Sequence, residues 1–278
     1  MKAVDRLLFG TAGTPNSAKP RDSITALRRL SELGLDSMEL EYVRGSFPGE
    51  QRALEIASAA KDNNIRLTAH GPYYINLYSE DPEKLAASRA RVIKTAKIGS
   101  LSGAESITFH SGFFRGQDAG EVYRWIHNEL ENITHKVRQM NIDVDIRPEL
   151  TGKPSQFGSL DEIINLSDEI EGIQPCIDWS HLYARSGEFN TSKEFQSVID
   201  KIRLKLGEKA IKSFHMHISG ILFGPKGEKK HLNLDESDFN YRELLHVLKE
   251  NDVCGFLVCE SPSLEDDAII LKEYYEKI

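Results

Sequence analysis

The amino-acid sequence predicts an α/β fold, a (β/α)8 TIM barrel, formed as one domain over residues 1–278. Short runs that favour β-strands alternate with longer runs of helical periodicity, which is typical of βα units in a parallel sheet. Eight pairs of strand and helix can be counted along the chain. The length of 278 residues also suits a closed barrel, which contains about 250 residues.

Each predicted strand is a short β-rich run, and a helical pattern follows it. In the first helix, Ile24, Leu27, Leu30 and Leu33 recur every three residues, and Gly34 follows as a helix stop. In chain order, the predicted strands cover Leu7–Gly13, Ser37–Val43, Arg66–Tyr73, Ser106–Gly112, Asp143–Leu150, Ile173–His181, Lys212–Gly220 and Gly255–Ser261. The predicted helices cover Arg21–Leu33, Glu50–Asn63, Pro82–Leu101, Ala119–Met140, Ser159–Asp168, Thr191–Lys205, Asn240–Asn251 and Ser263–Glu276.

An open doubly wound sheet is the alternative architecture. Such sheets usually contain fewer strands and often carry a glycine-rich phosphate-binding loop after the first strand. The segment Gly10-Thr11-Ala12-Gly13 lacks the spacing of the GxGxxG fingerprint. A dinucleotide site is therefore not expected, and closure into a barrel is favoured.

The composition restricts the class of protein. Hydrophobic residues make up 40% of the chain, but no apolar stretch reaches the ~18 residues of a membrane span. The segment Met1–Arg6 lacks the apolar run of a signal peptide, and Cys176, Cys254 and Cys259 form no disulfide framework. We therefore expect a cytoplasmic, reduced protein. The net charge of −8 argues against indiscriminate nucleic-acid binding but allows a local basic rim around a metal-filled pocket.

Metal-ligating side chains stand at the carboxyl ends of the predicted strands, where (β/α)8 enzymes place their catalytic groups. The third to the eighth strand all end with an imidazole or a carboxylate, so these groups should converge on one volume. A further imidazole follows the aspartate of the sixth strand by three residues. The pattern predicts a multi-metal site held by His70, His110, Glu149, Asp178, His181, His217 and Glu260.

Three further ionisable residues should face the barrel interior. His215 has the same strand parity as His217 and should lie deeper in the core. Glu39 and Glu41 alternate with apolar residues in the second strand and face one side. They are either a polar layer of the barrel interior or carboxylates that orient a metal-bound histidine. Both interpretations are kept at this point.

Five of these segments resemble, in the same order, motifs of endonuclease IV, the family of apurinic/apyrimidinic endonucleases. They are Ala69–Leu77, Phe109–Gly112, Cys176–His181, Met216-His217 and Cys259–Pro262. The resemblance covers nearly the whole chain, and the Asp-x-x-His of the sixth strand is its most specific part. It implies a xylose-isomerase-like barrel with two or three zinc ions, although Mn²⁺ or Fe²⁺ could also occupy such sites.

The same resemblance implies how three zinc ions would be held. One zinc would bind His70, His110 and Glu149; Glu149 would bridge to a second, bound by Asp178, His217 and Glu260. His181 would bind the third, together with an acidic residue and a histidine from the loop after the seventh strand. The bacterial pattern there is Asp-x-His, whereas this chain places Glu228 and His231 three positions apart. These two residues are the expected ligands, on a different loop path.

The resemblance further implies hydrolysis of double-stranded DNA on the 5′ side of abasic sites, as in base-excision repair. Glu149 and Glu260 would be catalytic, and paired metals would neutralise the phosphate. We expect a monomer without a membrane partner. Aromatic and basic residues of the strand-end loops are the candidate DNA contacts, each otherwise an ordinary exposed residue. They are Arg44, Tyr73, Tyr74, Phe113, Arg115, Lys229 and Lys230.

Two other functions compete with a nuclease. A sugar isomerase or epimerase on the same barrel needs one divalent metal, for which Glu149, Asp178, His217 and Glu260 suffice. The additional histidines favour the nuclease, because a single-metal sugar site does not need them. A non-catalytic metal- or DNA-binding protein is the other alternative, since a fold alone never determines activity. Retention of the whole ligand set argues against it.

Overall fold

A computed structural model describes residues 4–278 of the chain. Residues 1–3, which belong to the segment whose composition argues against a signal peptide, lie outside the described residues. Within the described part, no helix combines the length and the apolar character needed to cross a bilayer.

Strands and helices alternate along the described chain, as predicted. The strands are β1 Leu7–Ala12, β2 Ser37–Glu41, β3 Arg66–His70, β4 Ala104–Phe109, β5 Gly112–Phe113, β6 Asp145–Pro148, β7 Gln156–Phe157, β8 Cys176–Asp178, β9 Phe214–Ile218, β10 Gly220–Gly224, β11 Gly227–Leu232 and β12 Gly255–Cys259. The helices are α1 Ser23–Glu32, α2 Glu50–Asp62, α3 Pro82–Leu101, α4 Ala119–Gln139, α5 Leu160–Glu169, α6 Trp179–Ser186, α7 Ser192–Leu206, α8 Glu208–Ile211, α9 Tyr241–Glu250 and α10 Glu265–Lys277.

Eight strands pair in parallel in the order β6-β4-β3-β2-β1-β12-β9-β8. Two isolated parallel bridges, Ile146 to Ile173 and Glu149 to Cys176, join the β6 edge to the β8 edge. This is a nearly closed barrel with helices between the strands, and it confirms the predicted (β/α)8 fold.

Strand parity separates the two sides of the barrel wall. In β9, Phe214, Met216 and Ile218 belong to the main hydrophobic core, and His215 and His217 occupy the alternate positions. All five side chains are fully buried. Apolar burial stabilises the fold by about 1.5–3 kcal/mol per large side chain. Positions that face the barrel interior can hold polar side chains, because the residues on the outer face of the strands form the hydrophobic core with the helices.

The predicted sixth strand, Ile173–His181, is wrong at its carboxyl end. The strand ends at Asp178, and the next eight residues form α6. The carboxylate of Asp178 accepts a hydrogen bond from the backbone N–H of His181 at 2.8 Å and so caps the helix. His181 therefore lies in the first turn of a helix instead of at a strand end.

Two small antiparallel sheets lie outside the barrel and were not predicted. β5 pairs with β7, and β10 pairs with β11 as a hairpin directly after β9. The hairpin strands include glycine and lysine at many positions, which hides them from a search for apolar alternation. The β10–β11 hairpin carries Glu228 and His231, so it belongs to the candidate site.

Candidate metal centre

The ends of the barrel strands bring the predicted ligands together. His70 and Asp178 are the last residues of β3 and β8, and His217 lies within β9. His110, Glu149 and Glu260 directly follow β4, β6 and β12. Because all of these strands run parallel, their carboxyl ends meet at one mouth of the barrel.

Glu149 lies at the centre of the cluster and is 1% exposed. Its Oε2 is 2.9 Å from His70 Nε2, and its Oε1 is 3.2 Å from both His110 Nε2 and His181 Nδ1. Burial raises the pKa of Glu149, but the surrounding histidines, first His110 and then His217, outweigh burial and hold it well below its usual range. Glu149 is thus an ionised carboxylate that reaches several imidazoles at once.

In three of the histidines, one ring nitrogen is within hydrogen-bond distance of a backbone carbonyl, which fixes the orientation of the ring. The Nδ1 atoms of His70, His181 and His231 lie 2.7, 3.2 and 3.3 Å from the backbone carbonyl oxygens of Gly71, Leu150 and Glu260. A carbonyl can only accept, so Nδ1 carries the hydrogen in each case. Nε2 of His70 faces Glu149, and the Nε2 atoms of His181 and His231 face each other. Nδ1 of His181 also lies 3.1 Å from Asp178 Oδ2 and 3.2 Å from Glu149 Oε1. In the neutral ring, Nε2 presents a lone pair.

Asp178 and His217 present ligand atoms that have no hydrogen-bond partner. Asp178 Oδ2 and His217 Nδ1 are buried and unpaired. His217 Nδ1 lies 3.3 Å from Glu260 Oε1 and 3.6 Å from Glu149 Oε1. Buried polar atoms without partners are costly, and such atoms facing other ligand atoms indicate a place for a cation.

A β-bulge explains the unusual spacing of Glu228 and His231. In the β10–β11 hairpin, Leu222 pairs with Lys230 but Phe223 pairs with Glu228, so Lys229 is the extra, unpaired residue. In a regular strand, residues two positions apart share a face, and a bulge extends this distance to three. Glu228 and His231 therefore share one face.

That face of the hairpin is directed at His181. His231 Nε2 lies 3.2 Å from His181 Nε2, and Glu228 Oε2 lies 3.6 Å from the same nitrogen. Glu228 Oε1 and His231 Nε2 are 4.0 Å apart. The structure thus brings together the two residues whose place was least certain from the sequence.

The donor set fits divalent metals of the zinc type. Three overlapping groups have ligand atoms within 4.8 Å of one another: His70, His110 and Glu149; Glu149, Asp178 and His217; and Asp178, His181, His231 and Glu260. Imidazole nitrogens and carboxylate oxygens are ordinary zinc ligands. Asp178 Oδ2 and His217 Nδ1 are buried without a hydrogen bond, and each faces other candidate ligand atoms, His181 Nδ1 at 3.1 Å in the case of Asp178.

The seven candidate DNA contacts are exposed, on the loops and short strands that follow the barrel strands. Tyr73, Tyr74, Phe113 and Arg115 line one groove of about 480 Å³. The ring of Tyr73 lies 6.1 Å from that of His70, so the groove begins beside the metal ligands. The others are Arg44 after β2 and Lys229 and Lys230 in β11.

Two cationic residues of the groove were missed by the sequence analysis. Lys84 and Arg91 line it from α3, and Arg91 lies 6.0 Å from the centre of the Tyr74 ring. They are seven positions apart, which places them on one face of a helix. This spacing of two cationic residues along a predicted helix is the sequence feature that could have identified them. The groove also contains Asp81 and Glu83, so its charge is mixed.

Comparisons with known proteins agree with this architecture. The family model of the xylose isomerase-like TIM barrel matches residues 27–277. An uncharacterized protein of Methanocaldococcus jannaschii is 42% identical over 273 residues, which cover 98% of this chain and 98% of that protein. A probable endonuclease 4 of Mycoplasma pneumoniae is 26% identical over 202 residues, or 71% of this chain and 68% of that protein.

The chain shares its fold with solved structures of two kinds of enzyme. Endonuclease IV from Thermus thermophilus aligns with a TM-score of 0.76 at 15% identity, covering 97% of this chain and 100% of that one. A D-psicose 3-epimerase from Clostridium cellulolyticum, solved with D-tagatose, aligns with a TM-score of 0.71 at 15% identity, covering 96% and 99%. At this identity, both likenesses show the fold alone.

Proposed function

Because the chain belongs to the xylose isomerase-like TIM-barrel family, we propose that it is a zinc-dependent phosphodiesterase that resembles endonuclease IV. In this proposal it hydrolyses DNA on the 5′ side of abasic sites. The observation that carries the proposal is the set of three overlapping ligand groups, in which Glu149 is shared by two. Such an arrangement suits several metals, whereas a sugar enzyme of this fold needs one.

The histidines outside the single-metal quartet supply the discriminating detail. His70, His181 and His231 are each held through Nδ1 by a backbone carbonyl and direct Nε2 at the site. Fixed imidazoles of this kind serve a metal or a phosphate. A proton shuttle between two carboxylates beside a carbonyl does not require them.

When bound, paired divalent cations supply charge neutralisation for the phosphate and an activated water. The residues of the chain then have separate tasks. Glu149 would be the ligand shared by two metals, and Glu260, 3.3 Å from His217 Nδ1, would orient the attacking group. Glu228 and His231 complete the part of the site that would meet the leaving oxygen.

The groove beside His70 supports a nucleic-acid strand as the substrate. Tyr73 and Tyr74 are each 62% exposed and Phe113 is 40% exposed, so three aromatic side chains are open to solvent along one groove. Bases stack on such rings, and Arg91 and Arg115 offer charges to the phosphates. The net charge of −8 means that DNA binding would depend on this local rim.

A sugar epimerase is the second candidate, because one observation favours it specifically. Glu149, Asp178 and His217 form one ligand group, Glu260 Oε1 lies 3.3 Å from His217 Nδ1, and an epimerase aligns about as well as endonuclease IV. Under this alternative, Glu149 and Glu260 would exchange a proton with the substrate carbon.

Incision of a defined DNA duplex tests the proposal. We would incubate the purified protein with a duplex that carries a single abasic-site analogue, before and after chelation, with an undamaged duplex as control. Ketohexoses such as D-fructose would be tested in parallel. We expect incision 5′ to the lesion that chelation abolishes and added zinc restores. A folded, metal-loaded protein that cuts no lesion but epimerises a sugar would establish the alternative.

Metal content gives an independent measurement. We expect about three metals per chain by elemental analysis, which also identifies Zn²⁺, Mn²⁺ or Fe²⁺. His181→Ala should lose one metal, because it removes an Nε2 that faces Glu228 and His231. The matched control is His135→Ala on α4, whose ring is exposed and bonds only to Gln139 among the contacts described. One metal in the wild type would argue for the sugar enzyme.

A further inference from the structure

A buried carboxylate lies beneath the metal centre, on the inner face of β2. Glu39 is fully buried, and its ion partners among the described residues are two histidines of β9. Its Oε2 accepts a hydrogen bond from Thr68 Oγ1 at 2.8 Å and lies 3.0 Å from His215 Nε2. Its Oε1 lies 3.0 Å from His217 Nε2. An ionised carboxylate at this depth requires such donors.

The geometry around His215 defines its hydrogen positions. Its Nδ1 lies 3.0 Å from Ser106 Oγ, and its Nε2 faces Glu39. The Glu39 carboxylate can only accept, so Nε2 of His215 carries a hydrogen, and Ser106 Oγ is within hydrogen-bond distance of Nδ1. His215 thus acts as a second anchor for Glu39.

His217 is oriented in the opposite sense to the other anchored histidines of the centre. His70, His181 and His231 point Nδ1 at a backbone carbonyl and Nε2 at another candidate ligand, although Nδ1 of His181 also lies near Asp178 and Glu149. In His217, Nε2 points at Glu39, and Nδ1 faces Glu260 and Glu149. The group within 3.0 Å of Nε2 in His217 is thus a side-chain carboxylate, where the other three rings have a backbone carbonyl beside Nδ1.

We propose that Glu39 is a positioning residue that accepts a hydrogen bond from the Nε2–H of His217. This hydrogen bond fixes Nδ1 of His217 as the metal-ligating nitrogen. This inference rests on the metal centre of the proposed function. A ligating nitrogen must present a lone pair, and a neutral imidazole has only one. A carboxylate that accepts from the second nitrogen determines the tautomer, prevents ring rotation and makes the ligand more basic.

The neighbouring cation Arg147 does not account for the buried charge of Glu39, because it pairs with other groups. Arg147, also buried, donates to the carbonyls of Pro175 and Ser213 and to Asp145. A metal held by Cys176, His215 and His217 is the competing interpretation, because their ligand atoms also lie within 4.8 Å of one another. Both ring nitrogens of His215 lie 3.0 Å from other groups, Nδ1 from Ser106 Oγ and Nε2 from Glu39 Oε2, which leaves neither free for such a metal.

The first test measures the tautomer directly in the zinc-loaded wild-type protein. Long-range ¹⁵N–¹H correlations of labelled histidine distinguish a metal-bound Nδ1 with a protonated Nε2 from the reverse. We expect the first pattern for His217 and the reverse for His70 and His181. Coordination of His217 through Nε2 would overturn the proposal. So would a sulfur-to-cobalt charge-transfer band in the cobalt-substituted protein, because it would place a metal on Cys176.

The second test compares substitutions of Glu39 by their effect on metal affinity. Glu39→Met fills the same space without an acceptor and should weaken one metal site about 10- to 100-fold. Glu39→Gln should lose less, because its amide oxygen can still accept from His217 Nε2. A role in packing alone would not produce this order. Equal affinity of wild type and Glu39→Met would contradict the proposal.

Glu129→Met provides the matched control. Glu129 is another buried glutamate, on α4, and pairs with Arg89 of α3. It should lower the unfolding temperature and leave every metal affinity unchanged. Both readouts are independent of the substrate. Absence of DNA incision with the expected tautomer would contradict only the proposed function, and incision with Nε2 coordination would contradict only this inference.

Discussion

At the scale of single residues, the centre is defined by which ring nitrogen each histidine presents. Backbone carbonyls hold Nδ1 of His70, His181 and His231, and a carboxylate holds Nε2 of His217. Each anchored ring would therefore meet a bound metal in one tautomer and one rotation. Such fixed geometry reduces the reorganisation that accompanies metal binding and catalysis.

The affinity for zinc should increase with pH because two of these rings are basic in the metal-free protein. Burial lowers the pKa of His70, but Glu149 outweighs burial and raises it to about 10. Burial likewise lowers the pKa of His181, and Asp178 and Glu149 together raise it to about 10. Both rings are therefore protonated at pH 7, and a metal must displace a proton from each.

Chelator competition between pH 6 and pH 8 measures this effect. We expect the affinity of the sites that contain His70 and His181 to rise about tenfold per pH unit, since each loses one proton on binding. Calorimetry in buffers of different ionisation enthalpy should show the release of these protons. An affinity that does not change over this pH range would show that the rings are already neutral.

At the scale of elements, two local devices direct ligands that a plain strand would misplace. Asp178 caps α6, so His181 sits in the first helical turn, close to the carboxylate that precedes it. The bulge at Lys229 turns a three-residue spacing into a shared face for Glu228 and His231. The helix cap and the β-bulge both depend on short-range hydrogen bonding. Each contributes to the candidate site only because it lies beside the barrel mouth.

Close packing of the β10–β11 hairpin leads to a prediction about Gly152. A Cβ there would lie 2.7 Å from Glu228 Cβ and 2.9 Å from His181 Cδ2. Gly152→Ala should therefore displace the hairpin, lower the affinity for one metal about tenfold, and destabilise the fold by about 1–3 kcal/mol through overpacking. Metal titration and thermal unfolding measure both effects.

Gly49→Ala is the control for this substitution. No atom lies within 4 Å of the added Cβ, and the backbone φ of −66° suits alanine. It should leave metal affinity unchanged. If Gly152→Ala binds three metals as tightly as the control, the hairpin does not form part of the metal centre.

At the scale of the whole molecule, one end of the barrel brings several carboxylates together with few lysine or arginine side chains to balance their negative charge. Glu39, Glu149, Asp178 and Glu260 converge at one end, and histidines are their main partners among the described residues. The hydrophobic wall tolerates this concentration because its outer face carries the core. Bound cations would provide the missing positive charge.

Removal of metal should consequently destabilise the entire fold. Free zinc at 100 times its dissociation constant stabilises the native state by about 2.7 kcal/mol per site. For a chain of this size, the unfolding temperature should fall by roughly 5–10 °C after chelation and recover when zinc is restored. Scanning calorimetry measures the difference. Identical unfolding temperatures with and without metal would contradict a structural contribution of the site.

The amino-acid sequence by itself determined the fold class, the eight barrel strands and the ionisable side chains that meet at the strand ends. These features depend on local information: alternation of strand and helix patterns, and the rule that parallel strands end at one mouth. His70, Glu149 and Glu260 could be singled out in this way because each ends a recognisable strand. Most predicted element ends differ from the structure by only a few residues.

Only the tertiary structure decided how those ligands are held. The start of α6 at Trp179, the hairpin that carries Glu228 and His231, and the groove that adds Arg91 all depend on contacts between distant segments. The partnership of Glu39 with His217 joins residues from two different strands of the barrel. Periodicity reports the face on which a side chain lies, but ring orientation and hydrogen-bond partners are set by neighbours that closure of the barrel brings together.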